Sequence, residues 1–85
     1  MERGVIMLEI LSPEKKLFQG EVKFVRLPGG KAPFTVMYNH APVITTLERG
    51  NISWEGKDGI SEIFIAGGFA EVADNRVTLC VETDI

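Results

Sequence analysis

The stretch from Leu27 to Thr46 reads LPGGKAPFTVMYNHAPVITT and holds three of the four prolines, the only histidine and the only tyrosine of the chain. Two apolar runs, 34–38 and 43–47, are separated by Asn-His-Ala-Pro. Asparagine tolerates a left-handed turn, and proline forces the residue before it into extended geometry. The stretch therefore predicts a strand, a rigid corner and a second strand, preceded by a loop at Pro28–Gly30.

The segments before this stretch also have β-character. Val5–Leu11 is apolar on nearly both faces and predicts a strand that is covered on both sides. Ser12-Pro13-Glu14 combines a helix-capping residue with proline, but Leu17 and Phe18 follow too soon for a helix, and the segment predicts a single turn. Leu17–Leu27 is rich in β-branched and aromatic residues, and Gly20 within it predicts the bulge or bend at which a long ribbon changes sheets.

The second half continues as short strands and turns. The pattern places Ile52 and Trp54 on one side of a strand, followed by a charged hairpin loop at Glu55–Gly59. The adjacent glycines Gly67-Gly68 predict a corner or a close approach of another backbone, and Asp74-Asn75 predicts a tight hairpin turn. No helical period occurs. We therefore predict a single all-β domain over residues 1–85, an antiparallel β-sandwich or flattened barrel of about ten strands.

Composition limits the classes of function. The 85-residue chain has a net charge of −3 and a pI near 5.0, which argues against nucleic acid as a partner. Only short apolar runs occur, so we expect no direct insertion into a membrane, and the N-terminus does not resemble a signal peptide. A single cysteine cannot form an internal disulfide, which favours an intracellular, reducing compartment.

Candidate catalytic and metal-binding residues are few. His40 is the obvious acid–base candidate, but no acidic residue lies between Glu21 and Glu48, and the structural or interfacial interpretation is favoured. One histidine and one cysteine, Cys80, cannot complete a zinc tetrad without two carboxylates. The glycine pairs lack the Gly-Lys-Ser/Thr ending of a phosphate-binding loop. We therefore expect no catalytic residue, no metal and no cofactor.

Two other functions remain open at this point. A free-standing β ligand-binding module would require Trp54, Tyr38 and His40 to share one exposed cleft, although a tryptophan on a half-polar strand is more often part of the core. A small hydrolase would require a carboxylate or a hydroxyl group within reach of the His40 ring.

Four motifs suggest a family. LSPEKKLFQGEV at 11–22, NHAPVITTL at 39–47, AGGFAEV at 66–72 and NRVTLCVET at 75–83 resemble the N-terminal domain of the F-type ATP synthase epsilon subunit. Each motif is weak alone, but four in this order and spacing are specific. The resemblance implies a β-sandwich of about ten strands that acts as a non-catalytic rotor part of the central stalk. It would clamp the foot of the gamma subunit to the ring of c subunits and couple ion flow to ATP synthesis.

The resemblance also implies contact residues. On the gamma side these would be Ser12, His40 and Thr45. The c-ring would be met by one loop, consisting of Gly29, Gly30, Lys31, Ala32 and Pro33. In a bacterial cell such a subunit would lie peripherally on the cytoplasmic face of the energy-transducing membrane.

The chain departs from the family pattern at three places. The loop usually acidic in the family contains Lys31, so we expect this lysine to pair with a carboxylate of the ring or of gamma. Asn39 replaces the glycine of the usual Gly-His-Ala-Pro motif. Family members normally continue after the position of Thr83 into a two-helix hairpin that senses ATP. The 85 residues do not include it; if they are the complete chain, neither inhibition nor ATP binding of that kind is expected.

Overall fold

A computed structural model describes residues 4–83, and this part of the chain forms nine β-strands and no helix. The strands are β1 (Ile6–Leu11), β2 (Lys16–Val22), β3 (Phe24–Leu27), β4 (Phe34–Val36), β5 (Val43–Leu47), β6 (Gly50–Gly56), β7 (Gly59–Ile65), β8 (Gly67–Ala73) and β9 (Arg76–Glu82).

The strands build two sheets, with the orders β2-β1-β9-β8-β5 and β4-β3-β6-β7. The predicted all-β sandwich is confirmed, and the alternative of a flattened barrel is wrong because the two sheets do not join into one closed sheet. The pairing is also not wholly antiparallel, since β1 and β9 run parallel with Leu8 opposite Val77. This parallel pair joins strands from the two ends of the chain, so no turn residue between them could predict the pairing.

One hydrophobic core lies between the sheets, and strict alternation of side chains fills it. In β1, Ile6, Leu8 and Ile10 are buried, whereas the residues between them are half-exposed. The prediction that this strand is covered on both sides is therefore wrong. The other fully or nearly buried side chains are Val22, Val25, Leu27, Val36, Leu47, Ile52, Trp54, Ile65, Ala70, Val72, Val77, Leu79 and Val81.

The chain passes directly from one sheet to the other at two single residues. Lys23 separates β2 from β3, and its N–H donates to the carbonyl of Glu55 (2.8 Å). Ala66 separates β7 from β8, and its N–H donates to the carbonyl of Glu82 (2.7 Å). Both crossing residues thus keep a backbone hydrogen bond while the strand changes direction.

The chain first crosses between the sheets at Lys23 and not at Gly20, where the sequence predicted the change of sheet. Gly20 lies within β2 opposite Leu8, on the core side of the sheet, and a Cβ atom built on it would come within 3.2 Å of the Phe18 ring. The ring therefore covers the space that the glycine leaves open. Phe18 in turn packs on Trp54, with 4.8 Å between the ring centroids.

The single turn predicted at Ser12-Pro13-Glu14 is present, and it joins two strands rather than starting a helix. Ser12 and Lys15 close a hairpin turn between β1 and β2: the Ser12 N–H donates to the Lys15 carbonyl (2.9 Å), and the Lys15 N–H donates to the Ser12 hydroxyl (3.2 Å). The bulge of this ribbon lies beside the turn, because the pairing register of β1 with β2 shifts between Ile10 and Leu11. A serine–proline pair suits a tight turn as well as a helix start, and the adjacent strand pairing decides between them.

The second glycine pair behaves as predicted. Gly68 pairs with Val81 and has a φ of +151°, and a Cβ atom on it would contact the Cys80 carbonyl oxygen. The hairpin turn at Asp74-Asn75 is also confirmed, with φ values of 54° and 61° at these two residues. Two left-handed residues in a two-residue loop are typical of the type I′ turn.

Candidate partner-binding surface

The loop of residues 28–33 connects β3 to β4 and is tied to the end of β5. Gly29 forms an isolated bridge with Leu47, and the Glu48 N–H donates to the Pro28 carbonyl (2.7 Å). A Cβ atom on Gly29 would lie 2.8 Å from the Ala32 carbonyl oxygen, so only glycine fits. The backbone of this loop is therefore fixed by its neighbours.

The tip of the same loop faces solvent. The residues Gly30, Lys31, Ala32 and Pro33 are all exposed. A Cβ atom on Gly30 would have nothing closer than 3.9 Å, in contrast to Gly29. The loop thus presents one cation and a proline on a fixed backbone, which is a geometry suited to contact with another surface rather than to chemistry.

A second loop, residues 37–42, leaves β4 and enters β5. β4 ends at Val36, two residues earlier than the predicted run, because the His40 N–H closes a turn on the Met37 carbonyl (3.1 Å). Asn39 sits at the left-handed φ of 65° that the sequence predicts. Met37 and Tyr38 are 56% and 46% exposed, so two large apolar side chains stand next to each other in solvent.

The His40 ring forms a hydrogen bond within its own loop. Its Nδ1 lies 2.7 Å from the Ala41 carbonyl oxygen, and because a carbonyl can only accept, Nδ1 carries the proton. Among residues 4–83 no group of three His, Cys, Asp or Glu side chains could hold a metal ion. Within residues 4–83 the ring has no carboxylate or hydroxyl hydrogen-bond partner, and a hydrolase would need one.

Asn75, in the β8–β9 turn, ties the 37–42 loop to the sheet. The Asn39 N–H donates to Asn75 Oδ1 at 2.6 Å, and Asn75 Nδ2 lies 3.4 Å from Asn39 Oδ1. The carbonyl of Asn75 accepts from the Met7 N–H (3.0 Å), so one residue joins three segments. The sequence indicated the turn at Asn75 but carried no signal for this contact, which links residues 36 positions apart.

The three predicted gamma-side residues do not form one cluster. Ser12 lies at the end of the sheet where Leu11 pairs with Cys80, whereas His40 lies by the opposite end, next to Asn75. Thr45 pairs with Ala70, which is fully buried, so its side chain is on the core side of edge strand β5. A partner that met both Ser12 and His40 would have to cover about 20 Å along the strands of this sheet.

The outer face of the five-stranded sheet carries apolar residues that the sequence did not single out. Ile44 is 75% exposed and Phe69 is 50% exposed, and they lie on the adjacent strands β5 and β8. Half-buried Leu11 and Cys80 continue the same face across β9 and β1. Cys80 lies on this outer face because it alternates with the buried Leu79 and Val81 of β9, whereas its neighbours across the sheet depend on strand order.

Trp54, Tyr38 and His40 do not share one exposed cleft, because Trp54 is 7% exposed and belongs to the core. An open cleft of about 410 Å³ lies between β2 and the β6–β7 hairpin. Trp54 lines it together with Phe18, Lys57 and Asp58, whereas Tyr38 and His40 do not. No helix in residues 4–83 is long and apolar enough to cross a membrane.

Comparison with known proteins assigns the fold to a family. The family model for the ATP synthase delta/epsilon chain β-sandwich domain matches residues 5–85, nearly the whole chain. The chain belongs to this family. The four motifs that suggested an epsilon-type domain lie within the matched range, so the resemblance seen in the sequence is confirmed.

Relatives of this epsilon-type domain support the assignment. The chain is 39% identical over 80 residues to the ATP synthase epsilon chain of Desulfitobacterium hafniense, covering 94% of this chain and 61% of the relative. It is 39% identical over 77 residues to that of Maridesulfovibrio salexigens, covering 91% and 54%. The chain thus spans about three fifths or less of the length of these relatives.

Solved structures share the fold. A chain in the cryo-EM structure of the Euglena gracilis mitochondrial ATP synthase, OSCP/F1/c-ring in rotational state 1, superposes with a TM-score of 0.84 at 22% identity, over 91% of this chain and 50% of that one. A chain of the Tetrahymena thermophila mitochondrial ATP synthase central stalk and c-ring gives 0.72 at 15% identity, over 89% and 62%.

Proposed function

We propose that the chain is a non-catalytic rotor subunit of an F-type ATP synthase, which links the gamma subunit to the c-ring and couples ion flow to ATP synthesis. The observation that carries the proposal is the family match over residues 5–85. In a bacterial cell the subunit would lie peripherally on the cytoplasmic face of the energy-transducing membrane.

The shape of the domain supports this role. The 28–33 loop enters β4 and the 37–42 loop leaves it, so the two loops are at opposite ends of β4. Both loops extend from a sandwich whose buried side chains form one core. Torque is transmitted only through a body that does not bend, and a close-packed interior has low compressibility.

In this proposal the tip Gly30-Lys31-Ala32-Pro33 meets the c-ring, and Lys31 pairs with a carboxylate there or on gamma. The gamma subunit lies along the outer face of the five-stranded sheet, between Ser12 and His40. Burial of Ile44 and Phe69 would then contribute the apolar part of the contact, because exposed apolar patches mark interaction sites.

The test is binding of the 85-residue chain to the gamma subunit and to the gamma–c-ring complex, measured by co-purification and by interferometry. We expect a stable complex with gamma and no ATP hydrolysis by the chain alone. Lys31→Glu should weaken binding to the ring-containing complex several-fold, mainly through the association rate.

Lys57→Glu is the matched control, because Lys57 is also an exposed loop lysine but lies in the β6–β7 hairpin. An equal loss for the two variants would point to net charge rather than to the loop. Failure of the unmodified chain to bind gamma under native conditions would refute the proposed function.

A further inference from the structure

The 37–42 loop has an arrangement that the resemblance does not account for. Six residues lie between the last residue of β4 and the first of β5. Two of the hydrogen bonds at this loop are internal, from the His40 N–H to Met37 and from the His40 ring to Ala41. Within residues 4–83, the hydrogen bonds that join this loop to another segment are between Asn39 and Asn75.

We propose that Asn75 is a positioning residue for the partner contact made by the 37–42 loop. The inference rests on the proposed function, since it concerns how the gamma-facing loop is presented. Asn75 does not itself need to touch gamma. Its Oδ1 accepts the Asn39 N–H at 2.6 Å and thereby fixes the turn that carries Met37, Tyr38 and His40.

The backbone at Asn75 makes this bond stiff. The residue has a φ of 61° in a two-residue turn, and its carbonyl accepts from the Met7 N–H (3.0 Å) in the first strand of the sheet. The side chain therefore projects from a turn that is held on both sides. Asn39 is left-handed as well, with a φ of 65°, so the bond joins two turns of defined backbone geometry.

Holding the loop in one conformation should raise the affinity for gamma, because less conformational entropy is then lost on binding. Met37 and Tyr38 are 56% and 46% exposed, and large apolar side chains at protein contacts lose conformational freedom when a partner covers them. A loop that is already held in its bound shape avoids part of this loss. Asn75 would thus raise the affinity for gamma without being part of the interface.

The test compares three variants for binding to the gamma subunit. Asn75→Gly keeps the left-handed turn, because Asp-Gly suits a type I′ turn, but removes the acceptor; we expect a loss of affinity of about three- to tenfold, the usual net value of one hydrogen bond. Asn75→Asp keeps the Oδ1 acceptor but loses the 3.4 Å contact from Nδ2 to Asn39 Oδ1, so it should bind more tightly than Asn75→Gly. Asp74→Gly keeps the bond from the Asn39 N–H to Asn75 and should bind like the unmodified chain.

Two further measurements separate positioning from folding and from the proposed function. Hydrogen exchange of the Asn39 amide by NMR should speed up in Asn75→Gly but not in Asp74→Gly, with the melting temperatures of the two variants within a few degrees of each other. Faster exchange with unchanged gamma affinity would overturn the positioning role alone. Unchanged exchange of the Asn39 amide would show that Asn75 does not hold the loop and would overturn the inference. Absence of gamma binding by the unmodified chain would overturn the proposed function and the inference with it.

Discussion

Replacing Gly68 by alanine should destabilise the domain strongly, although the change adds a single methyl group. A Cβ atom at this position would contact the Cys80 carbonyl oxygen and lie 2.9 Å from the Val81 Cα. Both are backbone atoms of β9, which is paired on its two sides with β8 and β1, so neither can move away. The φ of +151° adds strain for any residue with a side chain.

The expected cost follows from these two terms. Overpacking against a fixed surface costs about 1–3 kcal/mol, and the unfavourable φ adds about 1–3 kcal/mol. A domain of this size has a free energy of unfolding of about 4–13 kcal/mol in total. A loss of about 3 kcal/mol should lower the melting temperature by about 12–24 °C.

The neighbouring glycine provides the control. A Cβ atom on Gly67 would meet the Leu47 carbonyl oxygen at 3.7 Å, an ordinary contact, and its φ is not in the left-handed region. Gly67→Ala should change the free energy of unfolding by less than about 1 kcal/mol. Urea unfolding followed by circular dichroism measures both variants. Equal stabilities for Gly67→Ala and Gly68→Ala would refute the reasoning from close backbone approach.

Three further predictions concern the loop, the core and the surface. Gly29→Ala should lower the melting temperature while Gly30→Ala leaves it nearly unchanged, because only the first would push a Cβ atom to 2.8 Å from a carbonyl oxygen; similar values for both would contradict a fixed loop backbone. Trp54, 7% exposed, should emit at short wavelength and resist quenching by acrylamide, and ready quenching would disprove its burial. Lys16→Met should lower the free energy of unfolding by less than about 1 kcal/mol, since the 3.2 Å ion pair of Lys16 with Glu9 is partly exposed to solvent. Thermal unfolding measures this change. A larger loss would show that the pair is stronger than its exposure implies.

The contact residues themselves were only partly accessible to sequence reasoning. The turn at Asn39 follows from the tolerance of asparagine for left-handed geometry, and it is confirmed. The bond from Asn39 to Asn75 could not be predicted, because a polar turn residue has no local pattern that names its partner. The exposed position of Ile44 was missed for a related reason, since β-branched residues fit a strand whether or not its outer face is covered.

The sequence by itself determined that this protein is a β-sandwich of short strands, since side-chain alternation and turn residues are local properties, and its motifs indicated the family. The tertiary structure decided where the ribbons change sheets, at Lys23 and Ala66 rather than at Gly20, and that β1 pairs in parallel with β9. It also decided that Asn75 holds the 37–42 loop. These features depend on which distant strands become neighbours, and that choice is made by burial of the whole core rather than by any single segment.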